Sequence, residues 1–388
     1  MGHSIGVAAC SCNREDAAEV VARRSEPNSS ARGSQLLAQS YCGSHYVYSC
    51  IGRETYAYGA VSGKKVHSLM GHTGPVTCVA VHGTAVLTGS IDKTVRHWDA
   101  KTAAQKSVME GHTGPVWCVL GSADRIFSCS EDSSLRAWSM KTGQMERAFL
   151  GHQGPVTNML LTSKGLLSGS ADGTIKLWSA ATGNMLSEFA GHTAAVTCVL
   201  ELDGVLLSGS QDGTVRQWDL HEGTPIAIFT DHEAWVTCFV PTSNGVLYSG
   251  SRDCTVRQWQ LRVPQRHLML ARMGSEDSIL RNVSRREHLA DQEQWLNDIP
   301  DHTEADFKTR VEVPSAVQTD TAMAVLSGHT DGVTCLGIEG GLLISGSADG
   351  TVRLWEIATG LPCTTLQASC GITGLLITEA SLFSSLAR

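Results

Sequence analysis

The chain has 388 residues, with 38 Asp and Glu against 30 Lys and Arg and a formal net charge of −8. That balance offers no overall basic field to nucleic acid or anionic lipid, so proteins and peptides are the expected partners. A single undivided core stops growing at roughly 250–300 residues, so a chain of this length must divide or repeat.

Residues 1–40 show no periodicity and contain NREDAAEVVARRSEPNSSARGSQ, a polar run with a Pro and several Ser. The composition predicts a disordered tail. Gly2 invites a lipid anchor, but the sixth residue is Gly6 where the pattern asks for Ser or Thr. Cys10 and Cys12 supply only two of the four ligands of a closed zinc site. No apolar run approaches the ~20 residues that cross a bilayer, and the first residues lack the apolar stretch of a secretory signal. The expectation is a soluble protein of the cytoplasm or nucleus.

From Tyr46 three strands are expected in YVYSCI, ETYAYGAV and KKVHSLM, with Tyr58 where later copies carry Trp. The unit that the rest of the chain repeats is clearest from Gly151 to Gly183. There His152 stands at the turn before one apolar run, Ser168 near the end of a second, Asp172 at a tight Asp-Gly turn, and Trp178 at the end of a third. A buried indole N–H needs an acceptor, a hydroxyl both accepts and donates, and an imidazole relays to a carboxylate. The spacing therefore predicts a Trp-Ser-His-Asp hydrogen-bond chain that ties the strands and turns of one sheet.

The same four positions recur at a pitch of 40 residues. They are His72, Thr88, Asp92 and Trp98; His112, Ser128, Asp132 and Trp138; and His192, Ser208, Asp212 and Trp218. His232, Ser249, Asp253 and Trp259 follow with one extra residue, and His329, Ser345, Asp349 and Trp355 come after a long gap. A repeat of this length, opening on Gly-His and closing near Trp-Asp (Trp98-Asp99, Trp218-Asp219), resembles the WD-repeat family. The resemblance runs from about Tyr46 to the end of the chain, less one insertion. It implies an all-β, seven-bladed β-propeller with four antiparallel strands per blade.

In chain order that gives a tail over 1–40 and a propeller over 41–388. GITGLLI and SLFSSLA, at Gly371 to Ala387, continue the pitch without a Gly-His. They are expected to supply the first strand of a last blade whose later strands come from Tyr46 onward, so that both chain ends close the ring and remove an exposed edge. Each fragment holds a candidate second strand. A four-strand meander also sorts the loops, placing the Gly-His and Asp-Gly turns on one face, which the family calls the top.

The fifth copy departs most from the pattern: Asp231 replaces Gly, Trp235 replaces the Pro of Pro75, Pro115 and Pro155, Arg252 precedes the tetrad Asp, and Cys254 replaces Gly. Residues 263–320 then interrupt this blade before TAMAVLSGH restores its fourth strand. The insertion leaves from the third-to-fourth turn, on the bottom face, and is expected to be partly disordered with one marginal helix over Glu276 to Asn297. Ser284 after Arg281 could take a phosphate; an incidental serine is the plainer reading.

The recurring His, Ser and Asp are not expected to be catalytic. They occur once per blade with a fixed Trp, whereas a nucleophilic site would be unique and would carry an oxyanion hole. The other histidines lack metal-ligand spacing, and no metal or cofactor is expected. Arg96, Arg136, Lys176, Arg216, Arg257 and Arg353, four residues after each Asp, read as aliphatic stems packed between blades. Cys78, Cys118, Cys198, Cys238 and Cys335 share one register, which suits small apolar fillers in a reducing compartment.

Three Trp lie outside the tetrads. Trp117 is expected as core filler and Trp295 falls in the insertion. Trp235 with Arg252 is the candidate protein-binding site on the top face.

The resemblance implies a non-catalytic scaffold for protein–protein contacts. A narrower alternative is the substrate receptor of a ubiquitin ligase, although the adaptor-binding Trp-Asp-x-Arg pattern is approached only by Trp98-Asp99-Ala100-Lys101 and Trp259-Gln260-Leu261-Arg262. An alternative of another class is an enzyme or small-ligand protein using the central channel. Nucleic-acid binding is disfavoured by charge. A monomer is expected outside complexes.

Overall fold

A computed structural model of the chain describes residues 38–40, 46–59, 62, 64–202, 204–242, 244–262, 318–368, 371–378 and 381–386. Every regular element among these is a strand. The blade built on the clearest unit has four strands in chain order: Val156–Thr162, Gly165–Ser170, Thr174–Trp178 and Met185–Ala190. All three pairings are antiparallel, and the first carries a bulge between Val156 and Asn158. The same order recurs in the other five tetrad blades, numbered 1 to 6 in chain order, and in an N-terminal sheet. The described residues therefore hold seven sheets of the four-stranded antiparallel plan.

Each blade is too thin to bury a core alone, so the core lies between blades. Cys118, Phe127, Leu135 and Phe149 of blade 2 pack with Val156, Met159, Leu166 and Trp178 of blade 3 in one cluster, and this arrangement repeats around the ring. Trp178 meets Phe149 of the preceding blade edge-on at 6.0 Å, and Trp218 meets Phe189 at 5.9 Å. The inner strands come close because the second strand carries a glycine there: a Cβ on Gly89 would sit 2.6 Å from Cys78 Sγ and 2.7 Å from Val116 of the next blade. Hydroxyls at one register stitch neighbouring blades. Thr157 donates to Val196 O at 2.8 Å, Thr197 to Val236 O at 2.6 Å and Thr334 to Ile372 O at 2.6 Å. Trp117 replaces the threonine in blade 2 and, against the expectation of a buried filler, lies half-buried against the cluster shared with blade 3.

The ring does not close as expected. Ile372–Thr378 and Ser381–Leu386 pair with each other in a separate two-stranded sheet. The N-terminal sheet comprises Ala38–Ser40, Tyr46–Ile51, Glu54–Gly59 and Lys65–Leu69. Ala38 to Ser40 pair with Ser49 to Val47, which occupies the edge that the C-terminal strand was expected to take. Each chain end thus uses its own second strand. Ile372–Thr378 packs beside the first strand of blade 6 and beside Ala38–Ser40, so the ends are neighbours without sharing a ladder. Ala38–Ser40 also lies inside the segment expected as tail; residues 1–37 fall outside the described residues.

The interrupted blade is completed across the gap by Ala324–Ser327, which pairs antiparallel with Thr255–Gln260. Gln318–Asp320 does not belong to that blade. It adds parallel to Pro225–Phe229 as a fifth strand of blade 4. The expected helix over Glu276 to Asn297, Trp295 and Ser284 lie outside the described residues.

Candidate interaction face

The six tetrads are closed in every blade. In blade 3, Trp178 Nε1 donates to Ser168 Oγ at 2.8 Å, Ser168 Oγ lies 2.8 Å from His152 Nε2, and His152 Nδ1 lies 2.9 Å from Asp172. A carboxylate only accepts, so His152 donates from Nδ1; its Nε2 then accepts from Ser168, whose oxygen accepts from the indole. Blades 1, 2, 4, 5 and 6 repeat these contacts at 2.7–3.1 Å. Asp172 also accepts the Gln153 N–H at 2.8 Å, which locks the entry turn.

The structure adds a fifth member. Thr174 bonds Asp172 through both its backbone N–H and its hydroxyl, and Thr94, Ser134, Thr214, Thr255 and Thr351 do the same in their blades. The signal was present in the sequence as a Ser or Thr two residues after each tetrad Asp. Burial by itself would push the Asp172 carboxyl up, but the bonds from Thr174, Gln153 N–H and His152 outweigh it and hold it at about 2. Asp92, Asp132, Asp212, Asp253 and Asp349 are likewise held well below the usual carboxylate range. Burial drives the His152 and His329 imidazoles down despite their carboxylate partners. The hydroxyls of Ser128, Ser168, Ser208, Ser249 and Ser345 belong to fully buried residues, closed to a substrate. Among the described residues, no three His, Cys, Asp or Glu gather to hold a metal.

The basic residues after each Asp lie against the Gly-His turn. A Cβ on Gly111 would meet Arg136 Nη1 at 2.6 Å and the Trp138 ring at 3.4 Å, and Gly111 has φ +151. The tip of the Arg136 side chain can yield, so it is the positive φ that favours glycine here. Lys176 instead pairs with Glu188 at 2.6 Å. In blade 5, Asp231 stands at the glycine register and is not mere decay. Its carboxylate lies 3.7 Å from Arg257 and accepts the Ala322 N–H at 2.5 Å, which fastens the chain where it returns from the insertion. Arg262 and Asp320 form a two-pronged ion pair across the same root, with Arg262 Nε at 2.6 Å from Asp320.

On the top face, Trp235 and Arg252 are brought together. The Arg252 guanidinium lies 4.2 Å over the indole, and Arg252 N–H donates to Trp235 O at 2.9 Å. Trp235 is 39% exposed, a high value for a large aromatic. No ion pair engages Arg252 among the described residues. Beside it Cys254 is held at φ 67, where Gly173, Gly213 and Gly350 take +82, +80 and +81. A left-handed non-glycine residue costs about 1–2 kcal/mol. Replacing Cys254 by Gly is expected to raise the stability of the chain by about 1 kcal/mol, read as a higher urea midpoint. An unchanged midpoint would show that the Cys254 side chain returns what its backbone costs.

A ring of four-stranded sheets, six of them fastened by the same His-hydroxyl-Asp-Trp chain, defines a WD-type propeller. The WD40 family, described as WD domain, G-beta repeat, matches residues 63–99, 104–139, 143–179, 183–219, 223–260 and 321–356, more than half of the chain. The chain belongs to this family, whose repeats support a general role in protein interaction. The F-box/WD repeat-containing protein pof1 of Schizosaccharomyces pombe is 60% identical over 35 residues, 9% of this chain and 6% of that protein. The Zinc finger CCCH domain-containing protein 62 of Arabidopsis thaliana is 51% identical over 39 residues, 10% of this chain and 9% of that protein. The matches thus span under a tenth of either relative. A solved structure, the computationally designed Ika8 protein, matches with TM-score 0.70 at 23% identity, over 91% of this chain and 93% of that one, a likeness of fold.

Proposed function

We propose that the chain is a non-catalytic scaffold that docks other proteins or peptides on its top face, with Trp235 and Arg252 as the anchor. The observation that carries this reading is the exposed indole under a guanidinium that has no ion pair among the described residues, on a face whose turns are pinned by the tetrads. Trp and Arg are enriched among residues that dominate interface energies. The stacked pair offers a flat apolar surface beside a cation, which suits an apolar side chain flanked by a carboxylate. The proposed setting is the cytoplasm or nucleus, supported by the buried thiols of Cys78, Cys118 and Cys335 in one register. No helix among the described residues is long and apolar enough to cross a membrane.

The test compares quantitative affinity capture by the full chain with capture by its W235A and R252A variants, alongside thermal melting. Both variants are expected to melt as the parent does while losing a shared subset of partners about tenfold or more. A drop in melting temperature with no selective loss of capture would mean that Trp235 serves only the fold. The narrower role, a substrate receptor of a ubiquitin ligase, is favoured by the 35-residue likeness to an F-box/WD protein. Recovery of a cullin adaptor with the captured partners would support it.

A further inference from the structure

A second candidate site lies on the opposite face, between blades 1 and 2. The first-to-second turns at Gly83 and Ala123 and the third-to-fourth turn at Lys141 bound a pocket of about 460 Å³, with His82, His97, Lys106 and Met140 among its walls. His97 is only 5% exposed, yet neither ring nitrogen has a hydrogen-bond partner. Ser107, paired with His97 across the strands, also has an unpartnered buried hydroxyl. Leaving such groups unpaired is costly, and a native fold satisfies the great majority of them. The two unpaired groups sit side by side on neighbouring strands, and His97 lines the pocket.

The same register in blade 4 shows what satisfies it. Gln217, immediately before Trp218 as His97 is before Trp98, is fully buried. Its Nε2 donates to Arg262 O at 2.6 Å and its Oε1 accepts from Arg262 N–H at 3.1 Å. One residue of passing backbone is thereby held by both its polar groups. Alongside, Gln318–Asp320 adds a parallel strand to the outer edge of blade 4. Blades 3 and 6 carry Leu177 and Leu354 at this register and have nothing with which to hold a backbone.

We propose that the pocket between blades 1 and 2 docks an extended acidic peptide segment of a partner, with His97 donating to a backbone C=O from one ring nitrogen and accepting a backbone N–H at the other. A neutral imidazole has one donor and one acceptor, as a carboxamide does, but they diverge, so His97 meets groups of two residues where Gln217 meets both groups of one. Burial, with Lys106 nearby, pushes the His97 imidazole down and keeps it neutral. The peptide is acidic because Lys141 and Lys106 stand at the pocket, and with Lys106 paired to Asp99 at 2.9 Å the Lys141 ammonium leaves the local balance positive. The proposal rests on the scaffold reading only in that the ligand is a protein segment.

The test uses the full chain and a pool of fluorescein-labelled decapeptides with Glu at alternate positions and Val, Ser, Thr or Gly between, read by fluorescence anisotropy. Saturable binding is expected, weakened about tenfold or more in H97L and in the charge-reversed K106E, and kept within about threefold in H97Q. H97L should fold, since Leu177 and Leu354 occupy the register elsewhere, and K106E alters a side chain that is 45% exposed. No saturable binding, H97L binding like the parent, H97Q failing as H97L does, or equal binding of a pool with Lys in place of Glu would each overturn the proposal. The W235A variant should bind the pool normally, so failure here and failure of the top-face reading are told apart.

Discussion

Replacing Trp178 with Ala is expected to destabilise the chain by about 3–5 kcal/mol. Trp178 is 1% exposed, packs on Phe149 of the preceding blade and closes the hydrogen-bond chain of its own. Truncation therefore opens a cavity between two blades and takes from Ser168 the N–H its oxygen accepts. Two further substitutions separate these losses. Trp178→Phe keeps a six-membered ring but removes the donor and leaves a small void, with an expected cost of about 2 kcal/mol. Ser168→Ala removes an oxygen that accepts from Trp178 and donates to His152, stranding two buried groups at about 1–3 kcal/mol each. Its predicted effect exceeds that of Trp178→Phe although fewer atoms are lost. Urea unfolding of the three variants gives the order. If Ser168→Ala cost less than Trp178→Phe, the tetrad would be packing with incidental hydrogen bonds.

The tetrads were legible in the sequence because they repeat: each blade buries the same indole and must satisfy it in the same way. The Ser or Thr that completes each Asp, as Thr174 does, repeats equally well, but such residues are common beside Asp-Gly turns and carry no mark of their own. Closure was misjudged for a different reason. Ala38–Ser40 is three residues long, too short for an alternating pattern, and only the coordinates show it on the edge reserved for the other chain end. Asp231 was visible as a departure from Gly-His; its bond to Ala322 needed the geometry. Trp235 and Arg252 were visible as two departures from the repeat; their stacking needed the geometry. His97 was silent, since an isolated histidine on a strand signals nothing until both its nitrogens are found without partners.

Stability is expected to form a plateau around neutral pH, bounded by groups whose direction of shift is set by the fold. His152, His329 and His97 are held neutral below their ordinary value of about 6.5. As pH falls through that value the unfolded chain takes up protons that the folded chain refuses, so stability begins to fall. The tetrad carboxylates add a steeper limb. With Asp172 at about 2 and its five equivalents also depressed, their contribution is whole above the unfolded value of about 3.9 and is lost as pH drops toward the folded one. Each carboxylate supplies at most about 1.4 kcal/mol per pH unit there, and several acting together reach a domain's whole stability of about 5–15 kcal/mol. On the alkaline side, burial lifts the thiols of Cys50, Cys238 and Cys335 to about 12, so the unfolded chain ionises first above about 8.5 and stability falls again. Urea midpoints measured from pH 3 to 10 should trace this shape, shallow below 6.5 and steep below 4. D172N should be less stable at pH 7 and show a less steep acid limb, because one carboxylate that the fold keeps charged is gone. An acid limb of unchanged slope in D172N would mean that the carboxylates do not set it, and that acid acts through the buried imidazoles alone.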